Sequence, residues 1–148
     1  MRNVFLIVVT LSLMAIAGRI PAHAQVIDAL EADIPFGFTV RNTTLPAGEY
    51  TIKRVNSRDD VVMEIRSADG QSRMVFMVES AQTAKAPARP ELIFDRVGDR
   101  YFLSEIFEEG STIGVELPKS HAERKLEKEG AMVQVHSVTV PGVLNAAR

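Results

Sequence analysis

The sequence predicts a mainly β protein, either an antiparallel β-sandwich or a small barrel of seven to eight strands, with one short surface helix near the C-terminus. Apolar residues recur at every second position in short segments, which is the period of a half-buried strand. Gly, Pro and Asp separate these segments at intervals of about 8–14 residues. A helical period replaces the alternation once, in a charged segment after residue 120.

Residues 1–24 have the features of a secretory signal peptide. Arg2 precedes an apolar run over residues 4–17, whose 14 residues fall short of the roughly 20 needed to span a bilayer as a helix. Ala22 and Ala24 supply the small residues of a cleavage site. We therefore expect cleavage after Ala24, export to the periplasm or the extracellular space, and no membrane attachment after cleavage. An uncleaved N-terminal anchor is the alternative.

Residues 25–148 are expected to form a single β-rich domain with a loose end. Removing Arg2 and Arg19 from the 17 basic residues leaves 15 against 19 acidic ones, a formal net charge of −4. This balance excludes the basic surface expected of a nucleic-acid-binding domain. The chain has no Cys, which excludes disulfides, thiol catalysis and Cys-ligated metal sites.

The first part of the domain is predicted to hold two strands joined by a turn. Residues 26–32 are expected to be frayed or loosely docked, because their weak helical stripe is too short to form a helix alone. Apolar side chains at every second position from Ile34 to Val40 predict one half-buried strand, with Pro35 at an edge or strand start. Leu45-Pro-Ala-Gly48 predicts a turn, and residues 49–54 alternate again.

A hairpin is predicted next. Residues 56–60 read as a polar loop, and the strand over residues 61–65 leads to Asp69-Gly70, a strong hairpin signal. The arm that follows, residues 74–78, is apolar throughout, so we expect a central strand covered on both faces. Residues 79–90 are rich in Ala and Pro and are expected to form a surface loop.

Further strands are predicted at residues 92–94, 101–107 and 113–117, with turns at 98–99 and 108–110. Tyr101 and Phe102 are neighbours and must face opposite sides of their strand. One ring is therefore expected in the core, and the other is expected either under the helix or in an exposed binding patch.

Residues 121–129 are predicted to form the surface helix. Ser120 and Glu123 have the spacing of a capping box, and Gly130 is a typical helix end. Only two of the nine residues are apolar, so the helix is expected to bury one narrow stripe. In the last strand, residues 132–140, the inward positions change parity, which predicts a bulge near His136 and Ser137.

Four motifs occur in order: Phe38–Tyr50 (FTVRNTTLPAGEY), Arg66–Gly70 (RSADG), Gly98–Leu103 (GDRYFL) and Glu116–Glu123 (ELPKSHAE). Together they resemble small exported bacterial β-rich proteins of unknown function, over about residues 34–128. The resemblance implies a signal peptide followed by one β-rich domain. It implies no activity, ligand or catalytic residue.

Histidine is rare in residues 25–148, where it occurs as His121 and His136. A catalytic zinc site usually takes three protein ligands of His, Asp or Glu type, and nothing in the spacing of these histidines supports pairing them with a carboxylate. We therefore predict no metal site, no cofactor site and no catalytic residue.

Three groups of carboxylates have the residue types of an acid–base pair acting on a glycosidic bond. They are Asp95 with Asp99, Glu105 with Glu108 or Glu109, and Asp59 with Asp60. Asp is favoured in turns because it bonds to nearby backbone, and a Glu-Glu-Gly segment is typical of a solvated turn. We expect surface carboxylates here, and the absence of Trp removes the usual sugar-stacking platform.

Ser120 lies between Lys119 and His121, which raises the alternative of a Ser/His nucleophile. Adjacent residues do not generally face each other, and the capping box already accounts for this serine. The sequence contains no G-x-S-x-G and no S-x-x-K motif.

We therefore favour an exported non-enzymatic domain with a binding or structural role. A sandwich would present an edge strand or a loop to another exported protein. A lipocalin-like barrel carrying a small apolar ligand is one alternative. A cryptic hydrolase, with carboxylates converging in a cleft, is the other.

Overall fold

The computed structural model describes residues 29–56, 59–130 and 133–144. The predicted signal peptide and its cleavage site at Ala24 lie outside the described residues. Within them the chain forms two β-sheets that pack as a sandwich rather than a closed barrel, which confirms the mainly β prediction. The described strands number twelve rather than seven to eight.

The elements are β1 (Leu30–Ile34), β2 (Phe38–Val40), β3 (Thr43–Leu45), β4 (Gly48–Asn56), β5 (Asp59–Ser67), β6 (Arg73–Met77), β7 (Glu79–Gln82), β8 (Glu91–Val97), β9 (Arg100–Phe107), β10 (Ile113–Glu116), α1 (His121–Lys128), β11 (Val133–Pro141) and β12 (Val143–Leu144). Sheet A has the order β12-β1-β4-β5-β6 and is antiparallel throughout. Sheet B has the order β11-β8-β9-β10-β7. The short β2–β3 hairpin lies beside the start of β9, with β2 parallel to it.

The prediction of one strand over residues 34–40 is wrong. β1 ends at Ile34 in sheet A, and β2 begins at Phe38 in sheet B. Pro35 cannot donate to a ladder, so the chain leaves one sheet here and enters the other. The alternation continues across the break because both sheets face the same core. The expectation of a frayed segment is also wrong for residues 30–32, which pair with β4; residues 26–28 lie outside the description.

Two loop predictions are wrong in part. Residues 79–82 form β7, which pairs with β10 at the edge of sheet B. The expected polar loop at residues 56–60 is shorter, because Asn56 of β4 pairs with Asp59 of β5. Residues 57–58 lie outside the described ranges. At β7 the polar composition conceals a strand with three exposed residues and one buried residue.

The core lies between the two sheets and is built from side chains of both. The ring of Phe94 is completely buried and meets Phe36 and Phe38 edge-on, with centroid separations of 5.2 and 5.4 Å. Tyr101 stacks on Phe36 at 4.2 Å, and Tyr50 meets Phe38 edge-on at 5.1 Å. These five rings fill one region of the interior with the edge-on and offset geometries that aromatic pairs prefer.

β9 is buried on both faces. A register shift opposite Ile93 and Phe94 lets Leu103 and Ile106 both face the core. Tyr101 joins the core cluster, whereas Phe102 faces the other side and is nevertheless buried. The prediction that these two rings face opposite sides is thus confirmed, with the outward ring covered rather than exposed.

Helix α1 is confirmed. The Glu123 N–H donates to Ser120 Oγ at 3.0 Å, and the Ser120 N–H donates to Glu123 Oε2 at 3.1 Å, which is a complete capping box. The helix packs against β8 of sheet B. The predicted bulge in the last strand is also confirmed, as a register shift between Gln134 and Val138. No helix of the described ranges has the length and apolarity to cross a bilayer.

The prediction that residues 74–78 form a central strand covered on both faces is wrong. These residues include most of β6, which is the edge strand of sheet A rather than a central strand. Val75 and Met77 are 51% and 62% exposed, while Phe76 and Val78 between and after them are buried. An apolar run does not reveal how many neighbouring strands it has, because each neighbour comes from elsewhere in the chain.

Candidate functional site

The two histidines are not brought into a common site. His121 is exposed at the start of α1, where its backbone N–H donates to Asn42 Oδ1 at 3.3 Å. His136 lies on β11, and its side chain is outside the described set. Within residues 29–56, 59–130 and 133–144, no three His, Asp or Glu side chains are grouped so that they could hold a metal ion.

The structure places the members of the described carboxylate pairs in different surroundings. Asp95 is half-buried on sheet B, whereas Asp99 is fully exposed in the β8–β9 turn and pairs with Arg96. Glu108 pairs with Arg54 at 3.5 Å, and Glu109 is exposed in the next turn. Asp59 and Asp60 begin β5, and their side chains lie outside the described set.

A different acidic group forms on the outer face of sheet B. Glu105 of β9 lies directly opposite Glu116 of β10, and Asp95 of β8 is close enough to act on it electrostatically. Burial raises the pKa of Glu105 above its usual range, and the charges of Glu116 and Asp95 raise it further. Glu123 of α1 also has a raised pKa, first because of burial and then because of Asp95 and Glu127, against the lowering effect of its Ser120 hydrogen bond and of Lys119.

Glu123 is poorly placed for acid–base catalysis. A general acid must reach its substrate, and Glu123 is only 5% exposed. Its carboxylate is held by the capping box at the start of α1. The pKa of Glu123 is therefore raised mainly because the helix cap buries this carboxyl group against the protein.

Replacing Glu105 by Gln is expected to stabilise the protein at neutral pH by about 0.2–1 kcal/mol, because like charges on directly opposed strand positions repel. A carboxyl whose pKa is raised on folding contributes stability below its unfolded pKa and loses that contribution as the pH rises through its folded pKa. The gain from E105Q should therefore shrink towards zero in acid. Urea unfolding at several pH values measures it. Glu109→Gln removes the same charge in an exposed turn, and an equal gain there would contradict the explanation.

Ser120→Ala is expected to lower the free energy of unfolding by about 1 kcal/mol, because the Glu123 N–H loses its acceptor. Thermal unfolding measures the loss. Ser111→Ala is the control, since Ser111 is a turn serine with a local hydrogen bond outside the helix. If the stability of S120A were unchanged, the result would contradict the capping role and favour the interpretation of Ser120 as a nucleophile.

Among the described strands β6 pairs with β5 alone, and its free edge is a second candidate site. The Ser67 N–H donates to the Ser72 carbonyl at 2.9 Å, which makes these two residues a hydrogen-bonded pair of the β5–β6 hairpin. Such pairs recur at every second residue of an antiparallel ladder, and the register from here to Met77 is unbroken. Met74 and Phe76 therefore direct their backbone groups at β5. The residues whose N–H and C=O groups point away from β5 are Arg73, Val75 and Met77.

The side chains of the same three residues face outward from sheet A. Val75 lies opposite Glu64, and Met77 lies opposite Val62. Val55 on β4 is 50% exposed and extends the same surface. We call the four residues Val55, Val62, Val75 and Met77 the β6 patch. An exposed apolar patch next to a free strand edge is typical of an interaction surface.

Basic side chains border the β6 patch. Arg73 donates to Glu64 Oε2 through Nε at 3.0 Å and Nη2 at 2.6 Å. This hydrogen bond is the main reason why the pKa of Glu64 lies below its usual range, and the charges of Arg73, Lys53 and Arg66 add to it. Lys53, Arg66 and Glu64 also line an open groove on this face. Three cations thus surround one buried carboxylate, which leaves an excess of two positive charges.

Protein-family models, curated proteins and solved structures contain no match to this chain.

The sequence interpretation missed two features of the candidate sites, the Glu105–Glu116 pair and the β6 edge, and only the first was predictable. The Glu105–Glu116 pair could have been found from the length of the β9–β10 connection, because counting outward from residues 108–113 brings these two positions opposite each other. The β6 edge could not have been found in this way. Val75 and Met77 are exposed in the structure, but in the sequence they belong to an apolar run that looks the same as a buried strand.

Proposed function

We propose that this chain is an exported, non-enzymatic binding domain that takes an extended segment of a partner protein onto the free edge of β6. The observation that carries the proposal is the outward direction of the backbone groups of Arg73, Val75 and Met77 beside an exposed apolar patch. Strand addition is a recurrent mode of peptide recognition, in which main-chain hydrogen bonds supply affinity and side-chain contacts supply specificity.

Two features favour this function over the alternatives. The space between the sheets is occupied by buried side chains, including the ring cluster around Phe94, which favours binding at the surface over carriage of an apolar ligand inside. Glu123, one of the two carboxyls with a raised pKa on sheet B, is engaged in the helix cap, which favours a binding role over a hydrolase.

The proposed location follows from the sequence. Residues 1–24 have the order of charged, apolar and small residues that signal peptidases recognise, and the four motifs resemble exported bacterial proteins. We therefore propose export with a new N-terminus at Gln25. Mass spectrometry of the exported protein tests this, since a mass that includes residues 1–24 would indicate an anchored form.

The decisive variant for the binding function is Val75→Pro. Proline lacks the N–H that Val75 directs at the free edge, while the ladder to β5 does not use that N–H. Peptides selected from a random display library against the purified protein are expected to bind V75P at least about tenfold more weakly, with unfolding little changed. Val75→Thr keeps both the N–H and the β-branched shape and is expected to retain binding.

A second measurement leaves the protein unchanged. N-methylation of alternate residues of a selected peptide should abolish binding, whereas methylation of the intervening residues should not, because only one set faces β6. A selection that yields no peptide sensitive to V75P, or peptides indifferent to the position of methylation, would contradict the proposed function.

A further inference from the structure

We infer that the β6 edge selects an antiparallel segment of the pattern apolar-x-apolar-x-acidic, with the acidic residue opposite Arg73. This inference rests on the proposed function and specifies its partner. The three outward-facing positions of β6 are Met77, Val75 and Arg73, in the order in which an antiparallel segment would pass them. The segment's matching side chains would lie on the same outer face.

The antiparallel orientation follows from sheet A itself. Every strand pair of this sheet in the described residues is antiparallel. In that orientation Arg73, Val75 and Met77 can each form a hydrogen-bonded pair, so both backbone groups of all three residues are satisfied. An antiparallel strand thus uses the whole free edge.

The acidic position follows from charge. Lys53, Arg66 and Arg73 surround Glu64, and the side chain of Arg73 is 65% exposed although it is bonded to Glu64. A carboxylate on the added strand would reduce the excess of this cluster from two positive charges to one, while a cation would be repelled. At the other end, Val75 and Met77 offer apolar surface and favour apolar partners.

A second copy of this chain fits the edge less well. Two β6 strands paired about a twofold axis would put Arg73 opposite Met77 and bring the same positive excess to the shared face. The five residues of β6 are far fewer than the roughly 20–30 residues that each partner contributes to a stable interface. An acidic, apolar segment of another protein is the better occupant.

The experiment uses three labelled heptapeptides, acetylated and amidated, and measures their binding by fluorescence anisotropy. The first, Thr-Val-Thr-Val-Thr-Glu-Thr, has the inferred pattern. The second carries Lys in place of Glu, and the third has the first sequence reversed. The first peptide is expected to bind on the order of tenfold more tightly than either of the others, and V75P should lose this binding.

A charge variant tests the cause of the preference. Lys53→Gln with Arg66→Gln removes the two excess charges and leaves the Arg73–Glu64 pair intact, so the Glu peptide should lose its advantage over the Lys peptide. Lys125→Gln with Lys128→Gln is the control. It removes two exposed charges of α1, which packs against sheet B, and the Glu peptide should keep its advantage over the Lys peptide.

The outcomes separate this inference from the proposed function. Equal binding of all three peptides, lost in V75P, would overturn the inferred pattern and leave strand addition intact. V75P-sensitive library peptides of another pattern, with no binding of the first heptapeptide, would do the same. A dimer in sedimentation that V75P dissociates, without peptide binding, would assign the edge to a second copy and overturn both.

Discussion

Phe94→Ala is expected to lower the free energy of unfolding by about 3–5 kcal/mol, the largest effect of any substitution considered for this protein. The Phe94 ring is fully buried and contacts the rings of Phe36 and Phe38, which come from the crossover and from the hairpin beside β9. Its removal would leave a cavity between the sheets and take one aromatic contact from each of Phe36 and Phe38. Small domains have a total stability of about 5–15 kcal/mol, so the variant would be close to unfolding.

Urea unfolding followed by circular dichroism measures the effect. Ile113→Ala is the control, because Ile113 is a strand residue of sheet B whose side chain is 63% exposed, and its truncation should cost no more than about 0.5 kcal/mol. A loss below about 1 kcal/mol at Phe94 would contradict the packing of the aromatic cluster.

Gly114→Ala is expected to lower the free energy of unfolding by about 1–3 kcal/mol. Gly114 of β10 lies opposite Phe107 of β9, whose ring covers the position that a Cβ would take. A methyl group there would overlap both this ring and the carbonyl oxygen of Ile106, which belongs to the backbone of the neighbouring strand. The strand pair must therefore separate locally, at the cost of hydrogen bonds or of the buried position of Phe107.

Gly37→Ala is the matched control for this prediction. A Cβ at Gly37 would lie 3.6 Å from the Leu45 carbonyl oxygen, an ordinary contact, so the variant is expected to stay within about 0.5 kcal/mol of the parent. Thermal unfolding of the two variants provides the comparison. Equal losses in the two variants would contradict the overlap with the Phe107 ring as the cause of the effect at Gly114.

The β6 edge and the acidic group on sheet B should respond to pH in opposite ways. The pKa of Glu64 is lowered, chiefly by the hydrogen bond from Arg73, so its contribution to stability is present above its unfolded pKa and is lost as the pH falls. The pKa of Glu105 is raised, so its ionisation destabilises the fold as the pH rises. Acid therefore weakens the ion pair beside the β6 patch while it relieves the repulsion on sheet B.

Local features of the structure were predictable from the sequence because they depend on residues close together in the chain. The capping box of Ser120 and Glu123 needs four consecutive residues, and the Asp69-Gly70 turn needs two. Tyr101 and Phe102 face opposite sides of β9 because every strand alternates. The mainly β class follows from the same short-range alternation.

Sheet membership was decided only by the tertiary structure. Ile34 and Phe38 continue one alternating pattern although they belong to different sheets, because both sheets bury the same face. The apolar run at residues 74–78 lies at an edge because the described strands supply a neighbour for β6 on one side, from β5, and none on the other. Strand neighbours are chosen by pairing between distant segments, and the pattern within one segment holds no information about them. For that reason the sequence by itself determined the mainly β class, and the long-range pairing decided which of the described strands lies at the edge of sheet A.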